Sequence, residues 1–169
     1  MSHRAFAVLF LPAIGAFLAE NFLYFPLSVP YMKDVAAGAP LLDMRPGYTP
    51  DAVYHLFDTL GQTGRGSYLK LLWTIDLVLP ALFGLFLSSA IRRGAFPSLR
   101  SIPLLAAACD YAENIAITIL LVRYPMQEPA FAQLASICTV TKLALYASGV
   151  LLAVGGFLVR VMRTAPKAI

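Results

Sequence analysis

The chain has 169 residues, of which 59% are hydrophobic and only 13% are charged, and its mean hydropathy is +0.73. This length suits one domain, and this composition is too apolar for an ordinary soluble core. The net charge of +4 does not indicate nucleic-acid binding, because the basic residues lie at the ends of apolar stretches and form no basic helix face. The composition therefore predicts an all-α protein that resides in a lipid bilayer.

Four apolar stretches are long enough to cross a bilayer as helices. A helical span takes about 20 residues, because backbone N–H and C=O groups in lipid must pair within the segment. The four stretches are Ala5 to Leu27, Tyr68 to Ile91, Pro103 to Val122 and Leu134 to Val161. The sequence thus predicts a single membrane domain over residues 1–169, built as a four-helix bundle.

The first link, residues 28–67, contains a predicted amphipathic helix outside the membrane. Thr49 is placed to cap its start, with Pro50 at the first helical position and Asp51 near the positive end of the helix dipole. Gly61 is placed to end it. Between these signals, apolar residues recur at helical spacing, namely Val53, Leu56, Phe57 and Leu60. This helix is predicted either to lie on the membrane surface or to pack on the end of the bundle.

Basic residues are concentrated at one end of the predicted spans. The N-terminus, the link between the second and third spans and the C-terminal tail hold seven basic residues and no acidic ones: Arg4, Arg92, Arg93, Arg100, Arg160, Arg163 and Lys167. The two other links balance five basic residues against five acidic ones. Since cytoplasmic loops are enriched in Lys and Arg, we predict a multi-pass integral protein of the plasma membrane with both termini in the cytoplasm.

Five ionisable residues lie in the interior of the four apolar stretches, away from the ends where Lys70 and Arg160 stand, namely Glu20, Asp76, Asp110, Glu113 and Lys142. A charge exposed to lipid costs at least about 2.5 to 3.5 kcal/mol on insertion scales, so we expect these side chains to face a common interior. Counting about 1.5 Å per residue from the outer end of each span places them near one level, with Asp110 one turn deeper than Glu113. Asn114 and Tyr146 lie near the same level.

This polar layer predicts a site with two kinds of residue. Asp110 and Glu113 are the candidate catalytic residues, since a protonated and an ionised carboxyl can act as acid and base. The candidate ligand-binding residues are Asp76, Asn114, Lys142, Glu20 and Tyr146. His3 and His55 lie outside the layer, so we predict no zinc site and no cofactor, whereas carboxylate oxygens leave a bound Na⁺, Ca²⁺ or Mg²⁺ open.

The leading functional prediction is a carboxylate-rich cavity that binds a membrane lipid or another lipophilic or amphipathic small molecule. Whether the protein also transforms that ligand is left open by the sequence. One alternative is a proton- or cation-coupled transporter, for which so small a chain would need a homodimer. The other is a non-catalytic assembly protein that uses the polar layer for packing. Four carboxyls against one lysine argue against packing alone, because a purely structural layer is expected to balance its charges.

Several short motifs lie between Leu42 and Lys142. They are Arg45-Pro46-x-Tyr48 with Pro50, Leu60-Gly61-x-x-Gly64-Arg65-x-x-Tyr68, Asp76-x-x-x-Pro80, Asp110-x-x-Glu113-Asn114 and Lys142. Together they resemble a family of small bacterial four-span membrane proteins whose activity is uncharacterised. In architecture alone, the chain is also similar to the class of the emopamil-binding protein and the sigma-two receptor, in which acidic residues line a cavity for sterol-like ligands. That likeness implies no isomerase activity, because the histidine and tryptophan expected of the sterol isomerases have no counterpart here.

Overall fold

The computed structural model describes residues 3 to 164, with the side chains of residues 10, 11 and 14 to 163. All regular elements in this part of the chain are helical, which confirms the predicted all-α class. The helices are α1 (His3–Phe22), α2 (Val29–Val35), α3 (Pro50–Leu72), α4 (Ile75–Arg93), α5 (Ile102–Arg123) and α6 (Pro129–Thr164), and two 3₁₀ turns cover Leu42–Met44 and Pro97–Leu99. Lys167, one of the basic residues in the predicted cytoplasmic tail, lies outside the described residues.

Three helical stretches within the described residues are long and apolar enough to cross a membrane. They are Pro50–Arg93, which contains α3 and α4, then Pro97–Arg123 and Pro129–Arg163. The chain is therefore a membrane protein, as its composition predicts. The third and fourth predicted spans lie within α5 and α6.

The second predicted span, Tyr68 to Ile91, differs from the structure at its start. The chain leaves the helical path at Trp73 and Thr74, so that Tyr68 to Leu72 belong to α3 and α4 begins at Ile75. The hydroxyl of Thr74 donates to the carbonyl of Lys70 (2.6 Å), a local bond that competes with the helical backbone pattern. The hydropathy of the sequence does not reveal this break, because the residues on both sides of it are mostly apolar.

Helices α4, α5 and α6 pack closely against one another. A Cβ atom added at Gly84 of α4 would lie 3.0 Å from the carbonyl oxygen of Pro103, and one added at Gly149 of α6 would lie 3.0 Å from the ring of the same proline. These glycines let the three helices approach at the start of α5. Helix α1 packs on the outside of α4, where the rings of Phe10 and Phe86 meet edge to face with centroids 5.2 Å apart.

Residues 28–72 form a cap on the end of the bundle where α5 ends and α6 begins. Thr49 caps α3 as predicted, accepting from the amide of Ala52. The predicted apolar stripe of α3 is buried against Ile117, Leu120 and Ala135 of α5 and α6. Of the two predicted locations for the amphipathic helix, the structure confirms packing on the bundle end.

Gly61 ends the first of two helical segments that together make up α3, as predicted. Its φ of +61° is not helical, yet a second helical segment follows directly and runs to Leu72. Arg65 of this second segment donates to the carbonyl of Phe57, one turn before the break (2.8 Å), and its guanidinium lies over the ring of Tyr124 (4.1 Å). Gly64 lies so close to α2 that an added Cβ would be 2.8 Å from Val35. The Gly-Arg motif therefore fixes α3 to α2 within the cap and holds α3 against the end of α5.

Candidate ligand-binding site

Helices α5 and α6 hold a buried cluster of three charged side chains. Lys142 Nζ lies 2.8 Å from Asp110 Oδ1 and 2.7 Å from Glu113 Oε2. Asp110 and Glu113 are one helical turn apart on α5, so both can reach the same ammonium group. Their exposed fractions are 8% and 0%, and that of Lys142 is 7%. The predicted convergence of these three residues is thus found as direct ion pairing away from water.

Two hydroxyl groups support Glu113 on the side away from Lys142. Thr139 donates to Glu113 Oε1 (2.6 Å), and its hydroxyl oxygen lies 3.4 Å from that of Tyr48. Burial raises the pKa of Tyr48 above its ordinary value, so this phenol keeps its proton beside Thr139. Thr139 therefore supplies a hydrogen bond to Glu113 on the side opposite Lys142.

Helix α4 joins the site through a proline. Pro80 has no N–H, so the carbonyl of Asp76 one turn earlier receives no helical hydrogen bond. Asn114 of α5 donates its side-chain amide to that carbonyl (3.3 Å), and Tyr146 of α6 donates to the carbonyl of Pro80 (3.3 Å). These two bonds tie α4 to its neighbours at the level of the charged cluster. They also leave the carboxylate of Asp76 out of the inter-helix bonding.

A cavity of about 320 Å³ lies between α1, α4 and α6 beneath the cap. Its polar wall consists of Glu20, Asn21, Asp43, Asp76, Asp110, Lys142 and Tyr146. Its apolar wall includes the aromatic rings of Phe10, Phe17, Phe83 and Phe86. Because α1 and α4 run in opposite directions, the acidic residues cluster near the cap and the rings continue into the bundle. The cavity is therefore amphipathic along its length.

Negative charge exceeds positive charge around the polar wall. Four of its side chains are carboxyls and one is an ammonium group, and Lys142 is already shared between Asp110 on the wall and Glu113 behind it. Within the described residues, no group of three or more His, Cys, Asp or Glu side chains is close enough to hold a metal ion. The excess of carboxyls therefore calls for protons or for a bound cation.

Most of the predicted site residues line this cavity. Glu20, Asp76, Asp110, Lys142 and Tyr146 all do. Glu113 and Asn114 do not, because they lie on the α5 face that packs against α6 and α4. Asp110 and Glu113 consequently flank Lys142 from two sides and do not share access to a ligand in the cavity. The side-chain oxygen of Asn114 is buried and has no hydrogen-bond partner within the described part of the chain.

The aromatic wall and three polar or flexible residues of the site were not predicted from the sequence. Asp43 and Met44 of the 3₁₀ turn in the cap line the cavity, and Thr139 supports Glu113. Asp43 follows an irregular, proline-containing segment that has no helical periodicity to place it. Thr139 lies three residues before Lys142, on the same face of α6, which is the signal that would have identified it.

Comparison with protein-family models, with curated proteins and with solved structures finds no match for this chain.

Proposed function

We propose that this protein binds a small amphipathic molecule within the membrane, with the polar headgroup against the carboxyls near the cap and the apolar part among the aromatic rings. The observation that supports this most directly is the amphipathic lining of a single cavity. A volume of about 320 Å³ lies at the lower end of the range for ligand pockets, about 300 to 1,000 Å³. The ligand is therefore a single-chain or compact amphiphile.

The headgroup is proposed to be cationic. Asp76 and Glu20 face the cavity, and Lys142 is already paired with Asp110 and Glu113. An ammonium group would bring positive charge to carboxyls that have no other counter-ion on the cavity wall, and charge-assisted hydrogen bonds are the strong ones in a low-dielectric site. A neutral alcohol would bind in the same orientation but would make fewer favourable contacts with these carboxyls.

The proposal includes a topology. Helix α1 has 20 residues and would be about 30 Å long, enough to serve as the fourth span of the bundle. The basic residues at the start of α1, between α4 and α5 and at the end of α6 support cytoplasmic termini in a plasma membrane. The cap and the headgroup end of the cavity would then face outward.

A packing role is supported for one part of the polar layer. Glu113 is fully buried and lies off the cavity, and among the described residues its carboxylate bonds to Lys142 and Thr139 of α6. We assign it to holding Lys142 in place, whereas Asp76 and Asp110 remain on the ligand side. This division accounts for the surplus of carboxyls that packing alone leaves unexplained.

The test is equilibrium binding to the purified protein in lipid nanodiscs, with empty nanodiscs as background. The probes are dodecylammonium, dodecanol and dodecyl sulfate, which share one alkyl chain and differ in headgroup charge. We expect saturable binding, with dodecylammonium bound about tenfold more tightly than dodecanol and dodecyl sulfate not bound. Asp76→Asn should reduce the preference for the ammonium probe severalfold, because it removes a cavity-facing charge without changing the side-chain shape.

The matched control is Asp34→Asn, which removes an exposed carboxyl of α2 that does not line the cavity. This variant should bind all probes as the wild type does. Binding that never exceeds the empty nanodiscs, or an ammonium preference that Asp76→Asn leaves unchanged, contradicts the proposal.

A further inference from the structure

We infer that the cap supplies part of the binding site, with Asp43 as a headgroup-contacting residue and Tyr68 as the residue that positions it. This inference rests on the proposed function, since it concerns the same cavity. It assigns a role to the Gly64-Arg65-x-x-Tyr68 motif, which the charged cluster of the bundle does not use.

Asp43 is the carboxyl that the cap contributes to the cavity wall. It lies in the 3₁₀ turn Leu42–Met44, and Met44 of the same turn lines the cavity beside it. The other acidic residues on the wall, Glu20, Asp76 and Asp110, come from helices of the bundle. A headgroup at the polar end would therefore be contacted by bundle and cap together.

Tyr68 holds this turn from beneath. Its side chain is completely buried in the cap core, and its hydroxyl donates to Asp43 Oδ1 (2.8 Å) while it accepts from the amide of Leu42 (3.2 Å). The phenol thus fixes both the backbone of the turn and the carboxylate. In the described part of the chain, no hydrogen bond or ion pair engages Asp43 Oδ2, which leaves that oxygen to a ligand.

The turn is also fixed to the bundle on its other side. The amide of Tyr48 donates to the hydroxyl of Ser136 on α6 (2.9 Å). Gly47 lies beside α6, where an added Cβ would be in ordinary contact with Val140 at 3.5 Å, and its φ of +101° suits glycine. With Tyr68 below and α6 beside it, Asp43 is held in one position over the cavity. The site is therefore complete only while the cap is docked.

This arrangement links ligand binding to the cap. A cationic headgroup contacting Asp43 binds the docked cap and has less to contact when the cap is displaced, so its binding stabilises the docked state by mass action. A neutral amphiphile, which gains little from the Asp43 charge, should stabilise the docked cap much less. The stability of the docked cap would therefore depend on the charge of the bound headgroup.

The experiment is a double-mutant cycle in nanodiscs with Asp43→Asn, Tyr68→Phe and the double variant, using dodecylammonium and dodecanol as probes. Asp43→Asn should weaken dodecylammonium binding about tenfold and change dodecanol binding by less than about twofold. Tyr68→Phe should weaken dodecylammonium binding severalfold. In the Asp43→Asn background, Tyr68→Phe should cause no further loss, because its effect on the ligand passes through Asp43.

The control for a merely structural effect is Tyr54→Phe. Tyr54 is also a buried tyrosine of the cap. Its hydroxyl accepts a hydrogen bond from the amide of Glu128, and it does not contact Asp43. This variant should leave both probe affinities unchanged. Hydrogen–deuterium exchange of residues 41–48 provides a readout without any Tyr68 variant: dodecylammonium should slow the exchange in the wild type and not in Asp43→Asn.

The outcomes separate this inference from the proposed function. Wild-type binding that Asp76→Asn weakens and Asp43→Asn leaves unchanged overturns the role of Asp43 alone. A loss from Tyr68→Phe that is equally large in the Asp43→Asn background overturns the positioning role of Tyr68. Absence of saturable binding by the wild type overturns both proposals.

Discussion

The cap buries mainly apolar side chains, whereas at the level of Lys142 three charged side chains are buried together. Met32, Leu56 and Phe57 are removed from water within one contiguous cap core. On the proposed topology this core lies outside the bilayer, so the hydrophobic effect can stabilise it, because the alternative for these side chains is water. Helices already surrounded by lipid gain no such driving force from association, so polar contacts and close packing must hold them together. The cap and the bundle are therefore stabilised by different kinds of buried side chain.

The two regions also differ in how their polar groups are used. In the cap, Arg65 and Tyr68 direct their hydrogen bonds to other cap residues, and neither side chain lines the cavity. In the bundle, Asp76 and Glu20 face the cavity. A ligand is therefore expected to bind where polar side chains make no hydrogen bonds that hold the fold together. Asp43 lies at the boundary between the two regions.

The largest expected effect tests the charged side of this comparison. Lys142→Met should destabilise the protein by about 3 to 5 kcal/mol, because it leaves Asp110 and Glu113 buried without their counter-ion. The measurement is unfolding in detergent micelles. Adding Asp110→Asn and Glu113→Gln to Lys142→Met should recover part of the loss, since the uncompensated charges are then gone.

Lys70→Met is the matched control, because Lys70 is exposed and its side chain is not part of the charged cluster. It should change stability by no more than about 0.5 kcal/mol. If Lys142→Met were as mild as Lys70→Met, burial of the charged cluster would not depend on ion pairing.

The parts of this structure that the sequence predicts are those with a local signal. The depth of Asp110, Glu113 and Lys142 follows from counting along regular helices, since each residue adds a fixed rise. The start of α3 follows from Thr49 and Pro50, whose side chains act within one turn of themselves. Neither prediction requires knowledge of how the helices pack.

The rotation of each helix about its own axis is set by packing and could not be predicted in this way. Glu113 and Asn114 lie at the predicted level, yet they turn toward α6 and α4 and away from the cavity. Close contacts such as that between Gly84 and Pro103 decide this rotation, and they join residues distant in sequence. Asp43 was missed for a related reason, because the turn that carries it is positioned by Tyr68, 25 residues later.

An intermediate effect is expected from Thr139→Val, which separates hydrogen bonding from charge within the cluster. The change keeps the shape of the side chain but removes the donor to Glu113 Oε1. Loss of a hydrogen bond to a charged group should cost about 1.5 to 3 kcal/mol. Unfolding in micelles measures it beside Thr141→Val, whose exposed hydroxyl makes only the bond to the carbonyl four residues earlier. If both changes lowered stability equally, the hydrogen bond from Thr139 to Glu113 would contribute nothing beyond an ordinary bond to the helix backbone.

The smallest expected effect tests the apolar side of the comparison, where volume rather than charge should matter. Gly64→Ala adds a Cβ 2.8 Å from a methyl group of Val35, so α2 or α3 must shift, at a cost of about 1 to 3 kcal/mol. Gly66→Ala, in the same helical segment, meets no atom within 4 Å. It should stabilise the helix by up to about 1 kcal/mol through propensity alone. If Gly64→Ala lowers the free energy of unfolding and Gly66→Ala raises it in one assay, the contact between α2 and α3 stabilises the cap. If both substitutions raise it, the α2–α3 contact tolerates the added volume.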